Sequence, residues 1–177
     1  TEHRLIERML GLLRKQLDGV ERQRTVDVDL IKSAVEFMRS YADRCHHGKE
    51  EDILFAALAR KPMTVEHRSI MDDLVDEHRQ ARQIVSNLDS ARDRYAGGLP
   101  DSLKDIGHCL SALLDLYPHH IDTEDHRFFL PAMDYFSVEE RDDLLRRFLD
   151  FDRTLIHEHY RQMIEALEEQ REVVYGC

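Results

Sequence analysis

The chain has 177 residues, of which 42% are apolar and 34% charged, and its formal net charge is −11. This length allows one domain with a sizeable core. The negative charge argues against nucleic acid or an anionic membrane as a partner, because both attract basic patches. No apolar run approaches the ~20 residues of a membrane span. The cysteines lack disulfide-framework spacing, so we expect reduced thiols and a cytoplasmic location. They are Cys45, Cys109 and Cys177.

Glycine (7 residues) and proline (4 residues) are scarce, which favours an all-α fold. The first predicted helix covers residues 2–20 and ends at Asp18-Gly19. Its apolar side chains recur every three or four residues, as expected for a helix with one buried face. His3 stands at the head of this stripe, which continues with Ile6, Leu10, Leu13 and Leu17.

The second predicted helix covers residues 27–60 and contains the pattern His-x-x-x-Glu twice. Residues four apart lie on one helix face, so an imidazole and a carboxylate can reach one metal ion. A rotation of about 100° per residue places His46 and Glu50 within the apolar stripe. His47 falls at the edge of the stripe and Glu51 lies farther round. The register therefore favours His46 and Glu50 as the inward pair.

The third predicted helix covers residues 64–95, with Thr64 as its N-cap. His78 occupies a core position in its apolar seam. The fourth covers residues 101–135 and repeats the His-x-x-x-Glu pattern.

In the fourth helix the register places His120 and Glu124 inside and selects His120 over its neighbour His119. Pro118 cannot donate the backbone hydrogen bond of a regular helix, so we expect a kink one turn before the pair. Such a kink would widen the bundle and give small ligands an entry.

A fifth helix is predicted from the capping box formed by Ser137 and Glu140, and we expect it to run to about residue 172. We assign residues 1–135 to a metal-binding four-helix bundle. Residues 136–177 then form an appended helix, and the whole range 1–177 is a single domain.

The inward carboxylates need a partner, because an unpaired charge in a dry core costs several kcal/mol. A lone core histidine is usually just hydrogen-bonded, but four inward histidines with two inward glutamates favour a metal site. Imidazoles and bridging carboxylates suit iron or manganese. The ferritin-type Glu-x-x-His pattern is absent from the sequence, and so is the zinc-protease pattern His-Glu-x-x-His.

The sequence resembles the hemerythrin-like family of HHE cation-binding domains. The ordered set His, His-x-x-x-Glu, His, His-x-x-x-Glu carries the resemblance, with flanking stretches at 49–55 and 124–131. The resemblance implies an up-down-up-down four-helix bundle around two non-haem iron ions, or manganese, with an oxo or hydroxo bridge.

The resemblance also implies a role for each side chain of the set. Glu50 and Glu124 would bridge the two ions. His3 and His46 would bind one ion, and His78 and His120 the other.

The set departs from the oxygen-carrying hemerythrins in two helices. Their third helix supplies His-x-x-x-His, whereas here Leu74 and Arg82 stand four residues before and after His78. Their fourth helix supplies His-x-x-x-x-Asp, whereas here Glu124 follows His120 by four. These departures argue against simple reversible carriage of O₂.

We predict that His47 is a seventh ligand, bound to the ion held by His78 and His120. In the related iron-sensing domain of an F-box protein a glutamate occupies the corresponding place, so a side chain there can reach the metal. The alternative is a solvated histidine at the rim of the bundle.

Two functions follow from these predictions. The first is a di-iron protein that binds or reacts with O₂, peroxide or nitric oxide and exchanges electrons with an unidentified redox partner. The second is a non-catalytic iron or oxygen sensor, or an iron-handling module of the kind that repairs iron-sulfur clusters. The first function is enzymatic only where the ligand is turned over and not merely bound, and the second is non-catalytic.

Overall fold

The computed structural model describes residues 2–152 and 156–175, and within the second range the side chains of 159–169. These ranges hold six helices and no β-strand, in agreement with the predicted all-α fold. The helices are α1 (Glu2–Gln23), α2 (28–58), α3 (Val65–Ala96), α4 (102–132), α5 (Val138–Phe151) and α6 (Ile156–Tyr175).

Two of these helices change their hydrogen-bonding pattern where the predicted ligands occur. α2 is π-helical at Met38–His47 and at Glu50–Phe55. α4 is π-helical at Glu124–Phe128 and ends with a 3-10 turn at Met133–Tyr135. Turns with i→i+5 hydrogen bonds are rare and occur frequently at functional sites.

Side chains cap the starts of three helices. Asp27 accepts a hydrogen bond from the backbone of Leu30 at the start of α2, and Thr64 caps α3 in the same way, as predicted. Ser137 and Glu140 form the predicted capping box of α5. These caps satisfy backbone donors that have no partner within the helix.

α1 runs one turn beyond the end predicted for it at Asp18-Gly19. It continues to Gln23 because Val20 is buried against the bundle, and Arg24 with a φ of 57° then turns the chain. A glycine inside a helix costs only about 1 kcal/mol, which such burial offsets.

The first four helices form an antiparallel ring. Along α1 and α4, His3 meets Asp125 near one end, and Val20 meets Gly107 near the other. A Cβ on Gly107 would lie 3.1 Å from the Val20 side chain, so glycine allows this close approach. Contacts between α1 and α2, α2 and α3, and α3 and α4 run in the same antiparallel sense. The helices therefore run up, down, up and down.

The single fifth helix that we predicted is two helices. α5 ends at Phe151 with Asp152 as its C-cap, and α6 begins at Ile156. The two pack on different parts of the bundle, which forces the change of direction. α5 lies against the later part of α2, whereas Tyr160 of α6 packs on Phe37 and Tyr41 of its earlier part.

Two apolar clusters sandwich the predicted ligands. The larger one joins α1, α6 and the adjoining parts of α2, α3 and α4. The smaller one joins the later part of α2, the start of α3, the end of α4 and α5, with Phe55 and Phe128 at its centre. The polar site between them is therefore held on both sides by packed side chains.

Candidate metal centre

All seven predicted ligand side chains gather in the middle of the bundle, and each is at most 7% exposed. Their donor atoms fall into two groups, and within each group all atoms lie within 4.8 Å of one another. The first group is His3, His46, Glu50 and Glu124. The second group is His47, His78 and His120.

The two glutamates lie between these groups. Oε1 of Glu50 is 3.5 Å from Nε2 of His46, and its Oε2 is 3.5 Å from Nε2 of His78. Glu124 likewise has one oxygen 3.1 Å from His3 and the other 3.4 Å from His120. Each carboxylate therefore presents one oxygen to each group, which is the arrangement that a bridging ligand requires.

His47 lies deeper than its predicted position at the edge of the stripe. It is 1% exposed, and its ring stacks on that of His78 with centroids 3.8 Å apart. The difference arises because the π-helical pattern of α2 turns the chain by less than the α-helical angle per residue. His46 and His47 consequently both face the interior, toward different groups.

A carboxylate faces Nδ1 of every histidine in the site. Four of these contacts are 2.8–3.0 Å, and the fifth, from His47 to Asp43, is 3.5 Å. An Nδ1–H that donates to a carboxylate leaves Nε2 with a free lone pair aimed at the centre, the tautomer that binds metal. The other pairs are His3 with Asp125, His46 with Glu2, His78 with Glu51, and His120 with Glu77.

These outer carboxylates were not predicted, although a sequence pattern indicates them. Glu2, Glu77 and Asp125 each adjoin a predicted ligand in the chain, and each serves a histidine on another helix. Glu51, considered as a partner for His47, instead accepts from His78 across the bundle. An acid next to a predicted ligand, as at Glu2, Glu51, Glu77 and Asp125, was therefore the available signal.

Burial keeps three of the imidazoles neutral. Desolvation lowers the pKa of His46 to about 4 and that of His78 to about 2, and it depresses the pKa of His47 well below its usual value. Neutral imidazole is the form that binds metal, so these side chains need lose no proton near pH 7.

The two glutamates show the opposite shift. Desolvation raises the pKa of Glu50 and of Glu124 well above the usual value, and for Glu50 the nearby charge of Glu124 adds to the effect. The carboxylate oxygens of both have no hydrogen-bond partner among the described residues, and neither do the Nε2 atoms of His47, His78 and His120. Each unsatisfied buried polar atom costs about 1–3 kcal/mol. Metal ions between the groups would satisfy all of them, so the donor set fits bound cations.

A close contact between two imidazoles supports the same conclusion. The Nε2 atoms of His3 and His46 are 3.0 Å apart. With Nδ1 of each ring donating to a carboxylate, neither Nε2 carries a proton, so two lone pairs face each other. A shared cation would turn this repulsion into attraction.

A third cluster already holds a cation. The acidic and thiol groups of Glu2, Cys45 and Asp152 lie together, and the buried ammonium of Lys49 donates to both carboxylates. Burial opposes ionisation of Glu2, but hydrogen bonds from His46 and Lys49 outweigh it and lower the pKa of Glu2 to about 2. Burial raises the pKa of the Cys45 thiol to about 12, so it stays protonated.

The remaining histidines of the described chain lie away from the centre. His119 and His108 are exposed, His126 pairs with Asp122 at the surface, and His67 contacts Tyr135. His159 of α6 is also exposed, and its ring contacts Tyr160. The side chain of His157 lies outside the described residues.

Two clefts reach the site from different sides. The first, the α5 cleft, has a volume of about 470 Å³ and reaches the first group. Its floor is His3, His46 and Glu50, its rim includes Glu2, Lys49 and Asp125, and its walls are Leu54, Phe129, Leu130, Met133 and Phe148.

The second, the arginine cleft, is smaller, at about 280 Å³, and reaches His47 of the second group. Its lining includes the charged side chains of Arg39, Asp43 and Arg82. The two groups are therefore approached through surfaces of different chemistry.

Pro118 lies inside α4, and the cleft that it lines is a third one, between α1 and α4. That cleft includes none of the seven predicted ligands. The entry that we predicted beside Pro118 is therefore less direct than the α5 cleft.

Fold and site together define a helical-bundle protein whose buried histidines and glutamates are arranged to bind cations. Comparison with protein families is consistent with this class: the model of the hemerythrin HHE cation binding domain matches residues 1–130. The chain belongs to this family, as its sequence motifs predicted. Comparisons with curated proteins and with solved structures gave no significant match. Across the described residues, every helix is too short or too polar to cross a membrane.

Proposed function

We propose that this chain is a cytoplasmic di-iron protein that binds or reacts with O₂, peroxide or nitric oxide. The observation that carries the proposal is the pair of buried donor groups joined by two glutamates, each with one oxygen toward either group. Imidazole and carboxylate donors favour iron or manganese over thiolate-preferring ions.

The two groups offer unequal numbers of donors. His3 and His46 with one oxygen from each glutamate make four donors. The three histidines of the second group with the other oxygen of each glutamate make five. The first group would therefore hold an ion with fewer protein donors, and the α5 cleft opens on that group.

A pair of ferrous ions would supply two electrons, one from each ion, to a ligand bound at the first group. The protein's part is to hold the imidazoles in one tautomer through their outer carboxylates, and to keep bulk water out with apolar walls.

One observation favours a sensor as the second candidate. His46 contacts Glu2, Glu2 contacts Lys49, and Lys49 contacts Asp152, the C-cap of α5. Metal binding at His46 would therefore influence, through these contacts, the helices appended to the bundle. Multiple turnovers with peroxide would favour the reactive protein. Large metal-dependent changes in protease sensitivity at 136–175 would favour the sensor.

Metal analysis of the purified protein, with an optical spectrum recorded with and without azide and air, tests the proposal. We expect two ions per chain, with iron bound. The variant His120→Ala should lose the second ion selectively, whereas His119→Ala, at the exposed neighbouring position, should retain both. A metal content near zero, or a single tetrahedral zinc, would refute the proposal.

A further inference from the structure

The α5 cleft is much larger than the diatomic ligands considered above. Its volume is about 470 Å³, whereas one water molecule occupies about 30 Å³ in the liquid. Sites for small organic molecules have volumes of about 300–1,000 Å³ and combine apolar walls with a few polar groups. The α5 cleft is in this size class.

The polar and apolar parts of the cleft are separated. The polar floor is His3, His46 and Glu50, and both oxygens of the Glu50 carboxylate lack a hydrogen-bond partner among the described residues. Beside the charged rim, the lining includes a group of apolar side chains, among them Phe148 and Leu130, which is 75% exposed. Such a cleft suits a molecule with an oxygen-donor head and an apolar tail.

Part of the apolar wall comes from outside the segment that matches the family. The match ends at residue 130, whereas Met133 and Phe148 lie beyond it. Phe148 belongs to α5, which packs against the later part of α2 and so places this ring over the floor. The appended helix therefore gives the cleft a wall that the matched bundle alone would lack.

Resting on the di-iron function proposed above, we propose that the ligand of this site is an alkyl hydroperoxide. Its oxygen end would face His3 and His46, and its alkyl chain would lie between Leu130 and Phe148. Reduction would break the O–O bond to give an alcohol and water, and would consume two protons from water and two electrons, one from each ferrous ion. Hydrogen peroxide lacks the alkyl chain and would make no use of these walls.

Binding can be measured without turnover in protein loaded with cobalt(II), whose visible spectrum responds to ligands. The probes are acetate, butanoate and hexanoate, which share the oxygen head and differ only in chain length. We expect affinity to rise by up to about fourfold per methylene buried against the walls. Equal affinity for all three acids would overturn the proposal.

Two variants test the walls, and one serves as control. Leu130→Glu places a charge at an exposed position and so should fold. Phe148→Ala removes the wall that α5 provides. In each variant the affinity for the acids should rise less steeply with chain length. Leu99→Glu, at an exposed position in the loop after α3, should leave the dependence on chain length unchanged. Retention of the full dependence in both wall variants would contradict the assigned walls.

Iron-loaded protein distinguishes a hydroperoxide from a carboxylate ligand. We expect a lower KM for tert-butyl hydroperoxide than for hydrogen peroxide in the native chain, with the difference reduced in Leu130→Glu. Chain-length-dependent carboxylate binding without this preference would overturn the hydroperoxide assignment. Failure of the native chain to bind two metal ions would instead refute the di-iron function, so the two failures are distinguishable.

Discussion

Arg82 joins the two carboxylates that orient two ligands of the second group. Its Nε donates to Asp43 and its Nη2 to Glu51, each at 2.7 Å. Asp43 faces Nδ1 of His47, and Glu51 accepts from Nδ1 of His78. One planar guanidinium therefore holds two outer carboxylates from two π-helical stretches of α2, a geometry that a lysine cannot reproduce.

Replacing this guanidinium should weaken the second metal ion selectively. For Arg82→Gln we expect that ion to bind about 10–100-fold more weakly, because outer hydrogen bonds fix the orientation and basicity of the ligands. Metal titration with spectroscopic detection measures the two affinities separately. Arg82→Lys should recover little of the loss.

The matched control is Arg79→Gln on the same helix, since Arg79 is exposed and pairs only with its neighbour Asp76 among the described residues. It should bind both ions normally. Equal weakening of both ions in Arg82→Gln would mean that Arg82 supports the fold in general and not the second group.

Two ion-paired lysines, Lys49 and Lys61, connect the helix α5 to the bundle. Lys49 of α2 is buried and donates to Asp152 at the end of α5, and also to Glu2 of α1. Lys61 lies in the connection after α2 and donates to Glu140 in the first turn of α5, where the carboxylate is half exposed. The interaction of the buried Lys49 with its carboxylates is stronger than that of Lys61 with Glu140, because water screens exposed charges strongly.

The buried Lys49 should therefore contribute more to stability. We expect Lys49→Met to lower the free energy of unfolding of the metal-free protein by about 2–3 kcal/mol, since it leaves two partly buried carboxylates without their cation. Lys61→Met, the control, should cost less than about 1 kcal/mol. Urea unfolding of the metal-free variants measures both changes, and equal losses would contradict this ranking.

Metal uptake should depend on pH through Glu50 and Glu124 and not through His46 or His78. The pKa values of His46 and His78 are lowered to about 4 and about 2, so both are neutral well below pH 7. The raised pKa values of Glu50 and Glu124 mean that the metal-free centre retains protons there at higher pH than ordinary carboxyls do. A metal ion must displace these protons.

Metal affinity should consequently rise with pH until the raised glutamate pKa values are passed. Calorimetric titration in two buffers of different ionisation enthalpy counts the released protons, and Glu50→Gln should release fewer. Metal uptake without proton release at every pH would contradict the protonated state of the metal-free centre.

The same shifts set the stability of the metal-free protein. A carboxyl whose folded pKa is raised stabilises the fold fully below its unfolded value of 4.5, and this contribution is lost as pH rises through the folded pKa. His46 acts in the opposite sense, because its folded pKa is lowered: its contribution is present above 6.5 and is lost as pH falls toward about 4. Thermal unfolding between pH 4 and 8 should show bound metal stabilising the protein increasingly toward higher pH.

Local sequence patterns were enough to predict the helices and most of the inward positions. Periodicity reports which face of a helix is buried, and that was enough to place His46, Glu50, His78, His120 and Glu124 inside. The cap residues and the order of the motifs are also visible in the sequence without knowledge of the tertiary structure, so the bundle and its family could be predicted.

How these side chains combine depends on the way the helices pack against one another. The burial of His47 depends on π-helical turns, which α-helical periodicity cannot anticipate. The carboxylates that orient the imidazoles come from neighbouring helices, and α5 separates from α6 because each packs on a different part of the bundle. These features depend on distances between helices, and one helix's sequence pattern encodes only its own buried face.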